Sequence, residues 1–185
     1  NRSLGDEDAT VRRNVLTAAR YLPGVLNRGA LEPLLRDPDR EIRILAIQAL
    51  GQLRGEEAAR GETLAALVAE TDTTARREVA RSLGRLGASG FPGLERLALD
   101  ADPGVRLQAV QELVQLQHPR GLEQLEQCVQ DDAIPADERR SLLVYIGFYG
   151  EEARTLLTRL STSRSALLRA EAIRGLTRLQ GEVSS

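Results

Sequence analysis

Arginine is the residue type in this sequence with the most chemistry to offer. All 25 basic residues are Arg, against 27 acidic residues, and the formal net charge is −2. A guanidinium is a rigid fork of donors that suits bidentate binding of carboxylate or phosphate. Six of these Arg residues fall in register: Arg12, Arg43, Arg76, Arg106, Arg139 and Arg169, at steps of 31, 33, 30, 33 and 30 residues. A second set, Arg77, Arg81 and Arg85, has the spacing of one helical stripe, as do Arg174 and Arg178. Gln111 and Gln115 hold the matching positions between them. A face lined by Arg and Gln suits an acidic or phosphorylated segment of another protein. The competing reading is a solvated face neutralised by Glu78 and Glu171. Three of the five aromatic residues, Tyr145, Phe148 and Tyr149, lie within five positions. Tyr145 and Phe148, near Arg, have the character of binding anchors.

The remaining reactive side chains do not assemble into a catalytic set. His118 is the only His, stands before Pro119 in a linker, and has no nucleophile or acid pair nearby, so a surface or capping role is expected. Cys128 follows an apolar stripe and reads as a small buried hydrophobe. Asp131 and Asp132 supply two carboxylates without a third ligand, so no metal site is expected. There is no glycine-rich phosphate loop. Catalytic residues, cofactors and metals are therefore all expected to be absent. Near-zero net charge argues against general nucleic-acid binding. No apolar run approaches the roughly 20 residues of a membrane-spanning helix. One Cys fits a reducing compartment, and a cytoplasmic location is expected.

Helices must position these residues, because the positions around each anchor Arg repeat. Apolar residues recur at offsets −1, +3, +4, +7 and +10. At +4 stand Leu16, Ile47, Ala80, Val110, Leu143 and Ile173, and at +7 Ala19, Leu50, Leu83, Leu113, Ile146 and Leu176. Those offsets form one stripe of an α-helix. Between the stripes lie shorter apolar sets such as Leu31–Leu34–Leu35, Leu64–Leu67–Val68 and Leu94–Leu97–Leu99, punctuated by Gly55, Gly87, Pro92, Pro119 and Gly150. Each unit thus reads as helix A, turn, helix B, and neither helix buries its stripe without stacked neighbours. The repeats run over 1–23 (partial), 24–54, 55–87, 88–117, 118–149 and 150–181, with a frayed tail at 182–185. The first B helix, about Asp8 to Leu22, has no A partner, so a fragment of a longer solenoid is expected. Tyr149, on the core offset, is assigned to packing.

The stretches Leu35–Leu53 and Leu97–Leu116 resemble HEAT repeats, most of all the short bacterial type known from phycobilisome lyases. The resemblance covers about residues 4–180. It implies an all-α solenoid of about five and a half repeats that serves as a non-catalytic protein-interaction scaffold. It also implies that the anchor Arg residues form a structural ladder with turn aspartates, Asp37 and Asp100 foremost and Asp6 and Asp72 as further candidates. The B helices would then line the concave, partner-binding surface, with offsets +1, +5 and +9 facing it. Two alternatives come with the resemblance. Bilin lyases share such repeats without a local motif to test. Alkyl-purine DNA glycosylases use aromatic and basic concave faces, which the absence of Trp and the net charge disfavour. The deoxyhypusine hydroxylases of this fold need paired His-Glu iron ligands, which one His excludes.

Overall fold

The structure is a computed structural model that describes residues 2–19, 26–69 and 72–183. It is all-α among these residues, and the helices group into two compact units, residues 1–99 and 100–185.

In the first unit the B helices are α1 (Ala9–Ala19), α3 (Arg40–Gln52) and α5 (Thr73–Gly84). The A helices are α2 (Arg28–Leu31), continued as a 3-10 turn to Arg36, then α4 (Glu57–Ala65) and α6 (Phe91–Leu97). Helix α1 packs on α3, and α3 on α5. A 3-10 turn at Arg2–Gly5 lies against α1 and buries Leu4. The B helices start for one local reason. An aspartate four residues before the anchor Arg caps the helix: Asp39 accepts from the Glu41 and Ile42 N–H groups, and Asp72 from those of Thr74 and Ala75. Gly55 ends the linker after α3 with a φ of +73°, a region that favours glycine.

In the second unit the B helices are α7 (Pro103–Gln115), α9 (Ala136–Val144) and α11 (Ala166–Val183), and the A helices are α8 (Gly121–Gln130) and α10 (Ala153–Leu160). Asp102 caps α7 by accepting from the Val105 N–H. The cores of both units are Leu, Ile, Val and Ala at the repeat offsets, as the fully buried Leu50, Val79, Ala109 and Leu142 illustrate.

Four sequence expectations need correction. The B helix of repeat 5 does not run through the aromatic cluster. It stops at Val144 and continues as a 3-10 stretch over Tyr145–Glu152, with a non-helical Gly150. Two glycines and β-branched and aromatic neighbours give this segment little helical propensity. Leu99 lies beyond the end of α6 and is 73% exposed, outside the apolar set it was grouped with. Ile173, on a core offset, is 55% exposed, because no described helix stacks beyond α11. His118, expected as a surface or capping residue, is buried. The expected end of the first B helix at Leu22 lies outside the described residues.

Candidate binding surface

The register of anchor Arg residues resolves into a repeated backbone contact. In Arg12, Arg43, Arg106 and Arg169, Nη1 donates to two carbonyls of the turn that leads into the residue's own helix, five and six residues earlier. The distances are 2.7 and 3.0 Å for Arg12, 2.9 and 3.3 Å for Arg43, 2.7 and 2.9 Å for Arg106, and 2.7 and 2.8 Å for Arg169. The other arm of the fork reaches forward. Nε and Nη2 of Arg12 grip Asp37 of the next turn at 2.8 and 2.9 Å. Arg106 likewise meets Asp131, 25 residues on. Burial pushes the Asp37 carboxyl up, but Arg12 and the Asp39 N–H hold it below the usual carboxylate range. Lys could make one of these contacts but not both arms together.

Other members of the ladder depart from this pattern. Asp100 takes Arg106 through its backbone carbonyl. Asp72 serves as the α5 cap and meets Arg40, not an anchor Arg, and that guanidinium lowers its pKa to about 2. Arg139 turns to Asp132 at 2.6 Å within its own turn, because the position 25 residues ahead is Arg164. Arg76 is half-buried on α5.

The candidate groove residues divide between the two units. On α5, Arg77, Arg81 and Arg85 are exposed, and Arg81 and Arg85 share one acid. Glu78, 6% exposed at its side chain, lies 2.8 Å from Arg81 and 3.7 Å from Arg85. On α11 the same offsets carry Glu171, Arg174 and Arg178. Glu171 lies 2.6 Å from Arg174 and 3.1 Å from Arg140 of α9. Arg178 is exposed at the next turn. Gln111 is half-buried on α7 and Gln115 is exposed. Tyr145 is half-buried at the start of the 3-10 stretch. That stretch has three residues per turn, so helical offsets no longer fix its facing. The Phe148 side chain lies outside the described ones.

Several polar contacts were not legible as motifs. Arg60 is almost fully buried on α4, where it donates to the Leu50 carbonyl in the last turn of α3 and to the Gly55 carbonyl of the linker after it, and pairs with Glu57. Its only local signal is a charged residue amid an apolar A-helix pattern. Buried Tyr149 donates its hydroxyl to the His118 carbonyl at 3.0 Å, and His118 Nδ1 accepts the Arg120 N–H. Gly121 leaves room for this: a Cβ there would sit 1.9 Å from the Tyr149 oxygen. Burial pushes the Cys128 thiol up to about 11, unfit for a nucleophile near neutral pH. Among the described residues, no group of three or more His, Cys, Asp or Glu could hold a metal, and no helix is long and apolar enough to cross a membrane.

The repeated helix pair with its ladder defines an all-α repeat solenoid. Residues 61–145 match the family model described as HEAT repeats. No curated protein matches the sequence. Among solved structures the chain is similar to two engineered proteins known from crystal structures. One is 19% identical with a TM-score of 0.58, covering 97% of this chain and 94% of that one. The other is 18% identical with a TM-score of 0.60, covering 97% and 96%. A designed armadillo repeat protein is 18% identical, with a TM-score of 0.54 over 96% of this chain and 97% of its own. These likenesses concern the fold.

Proposed function

We propose that the chain is a non-catalytic interaction scaffold whose B helices hold an acidic or phosphorylated segment of another protein. The observation that carries this reading is the doubled arrangement on α5 and α11. In each, a single carboxylate is shared by two guanidinium groups: Glu78 by Arg81 and Arg85, Glu171 by Arg174 and Arg140. Each of these acids meets two guanidinium groups at once, in a chain that is formally −2 overall. The guanidinium groups are between 37 and 63% exposed, open enough to bind and held in place by the shared acid.

An incoming carboxylate or phosphate then meets forks already oriented, which lowers the ordering cost of binding. Arg77 extends the patch on α5 and Arg178 the one on α11. In the second unit Gln111 and Gln115 offer neutral donors, and Tyr145 and Phe148 the aromatic anchors. The single thiol suits a reducing compartment such as the cytoplasm.

Affinity capture from the native cell tests this reading, with the wild-type chain beside the triple variant Arg77→Glu, Arg81→Glu, Arg85→Glu and the pair Arg174→Glu, Arg178→Glu. Retention of proteins with acidic or phosphorylated segments by wild type, and their loss with either variant, supports it. Identical captured sets for all three chains overturn it.

A further inference from the structure

We propose that Arg139 and Ser163 form one step of the ladder that takes a phosphoryl group where other steps hold an aspartate. None of the residues of the scaffold reading takes part in it. Ser163 occupies the acid position of its turn on two counts. It stands six residues before Arg169, as Asp37 does before Arg43 and Asp100 before Arg106, and its carbonyl takes the anchor Nη1 in the same way. Its Oγ also accepts the N–H two residues on, from Ser165 at 3.3 Å, as Oδ1 of Asp37, Asp100 and Asp131 does at 2.9 Å. At Asp37 and Asp131 the second carboxylate oxygen reaches the anchor Arg of the preceding B helix, Arg12 or Arg106. A serine hydroxyl has neither the second oxygen nor the charge.

Arg139 is the anchor of the B helix before this turn: α9 packs against α11, and Arg140 of α9 meets Glu171 of α11 at 3.1 Å. Its Nε is buried and has no hydrogen-bond partner among the described residues, whereas Nε of Arg12 donates to Asp37 at 2.8 Å. Arg43 shares the unpaired Nε, and the acid position of its next turn, Glu70, lies outside the described residues. Asp132 holds Nη1 of Arg139 at 2.6 Å, but that carboxylate is 94% exposed and turns into solvent at little cost. A buried donor without an acceptor is destabilising, and a phosphoryl dianion supplies three acceptor oxygens that match the guanidinium fork. Exposed Arg164 adds a second cation to the turn. The dianion has two sources, an ester on Ser163 or free inorganic phosphate beside it. Ser163 is half-buried between exposed Thr162 and Arg164, so its turn is open to an enzyme. The ester forms when Ser163 Oγ takes the terminal phosphoryl group of a nucleoside triphosphate held by a separate kinase. A P–O bond forms at Oγ, the bond to the leaving nucleoside diphosphate breaks, and the hydroxyl proton passes to the kinase's base.

Thermal unfolding tests this with four chains: wild type, the chain with phosphoserine incorporated at position 163, and both of these with Arg139→Gln. Each is measured in chloride and in inorganic phosphate of equal ionic strength. The expected result is that a phosphoryl group from at least one source raises the unfolding midpoint by about 3 °C or more, and that Arg139→Gln removes the gain. Each gain is read within one Arg139 background, so any stability that Arg139→Gln itself removes cancels. Where the Gln chain does not fold, Arg139→Lys, which keeps the charge but not the fork, takes its place. A gain confined to the phosphoserine chain assigns the step to the ester, and a gain of the unmodified chain in phosphate assigns it to the free ion. No gain from either source overturns the proposal, and so does a gain that survives without Arg139.

Discussion

Helices α5 and α11 carry the same charged signature at the same offsets and use it differently. Each has Glu two residues after its anchor Arg, then Arg at +5 and +9. On α5 the acid is buried and both of its Arg partners come from its own helix. On α11 the acid is 21% exposed, and one partner, Arg140, comes from α9. The source of the difference is one position on the preceding B helix: Ile44 stands on α3 where Arg140 stands on α9. Helical periodicity fixes which residues share a face, and the neighbouring helix decides which charges remain available there. The α5 acid is paired within its own helix. The α11 patch is tied to its neighbour and leaves Arg178 open.

The largest expected effect concerns binding. If availability of charge governs recognition, reversing Arg174 and Arg178 to Glu weakens binding of an acidic peptide about a hundredfold. The same change at Arg81 and Arg85 costs nearer tenfold. Titration of both variants with one labelled peptide measures the ratio, and equal losses would erase the distinction between the patches.

Packing provides the second contrast. A Cβ at Gly51, on α3 against α5, would lie 2.6 Å from the Ser82 Cβ and 3.0 Å from its Cα. Gly51→Ala must move backbone, and a loss of about 2 kcal/mol is expected from urea denaturation. A Cβ at Gly175 on α11 meets the tip of the Leu157 side chain at 2.9 Å. That tip can turn aside while Ala improves helix propensity, so Gly175→Ala is expected to stay within about 0.5 kcal/mol of wild type.

Neutralising the two acids separates them further. Glu78→Gln removes a buried charge from between two guanidinium groups and is expected to cost about 1–2 kcal/mol. Glu171→Gln acts on more exposed pairs and is expected to cost about 0.5 kcal/mol. Thermal unfolding of the two variants checks the order.

Acid sensitivity gives the smallest contrast. The cap of α5 is Asp72, whose pKa Arg40 lowers to about 2, whereas the corresponding position before α11 is the non-titrating Ser165. A carboxyl with a depressed folded-state pKa contributes stability above its unfolded value near 3.8, and that contribution fades as the pH falls toward 2. Arg40 is more than half exposed, so screening reduces the contribution to about 1 kcal/mol. Asp72→Asn is expected to flatten that part of the pH–stability curve, measured by urea denaturation between pH 5 and about 2.

Much of this architecture is legible in the sequence because it rests on local, repeated signals. The anchor Arg residues mark six B helices, and the apolar offsets mark their buried faces. The misreadings have identifiable physical causes. Ile173 obeys the periodicity but lacks the neighbour that would bury it. Tyr145 and Phe148 have helical offsets on a segment whose glycines admit a tighter 3-10 path. Asp72 resembles a ladder acid in sequence, yet its place beside the first helical N–H groups makes it a cap. His118 reads as a surface or capping residue, yet it is buried, and the hydroxyl that donates to its carbonyl comes from Tyr149, 31 residues away.

The scaffold reading is tested most directly by fluorescence anisotropy of a dye-labelled, doubly phosphorylated serine peptide titrated with the wild-type chain and with the Arg174→Glu, Arg178→Glu variant at low and high salt. The expected result is saturable binding by wild type that weakens as salt rises and is largely lost in the variant. No binding at low salt, or equal binding by the two chains, would contradict it.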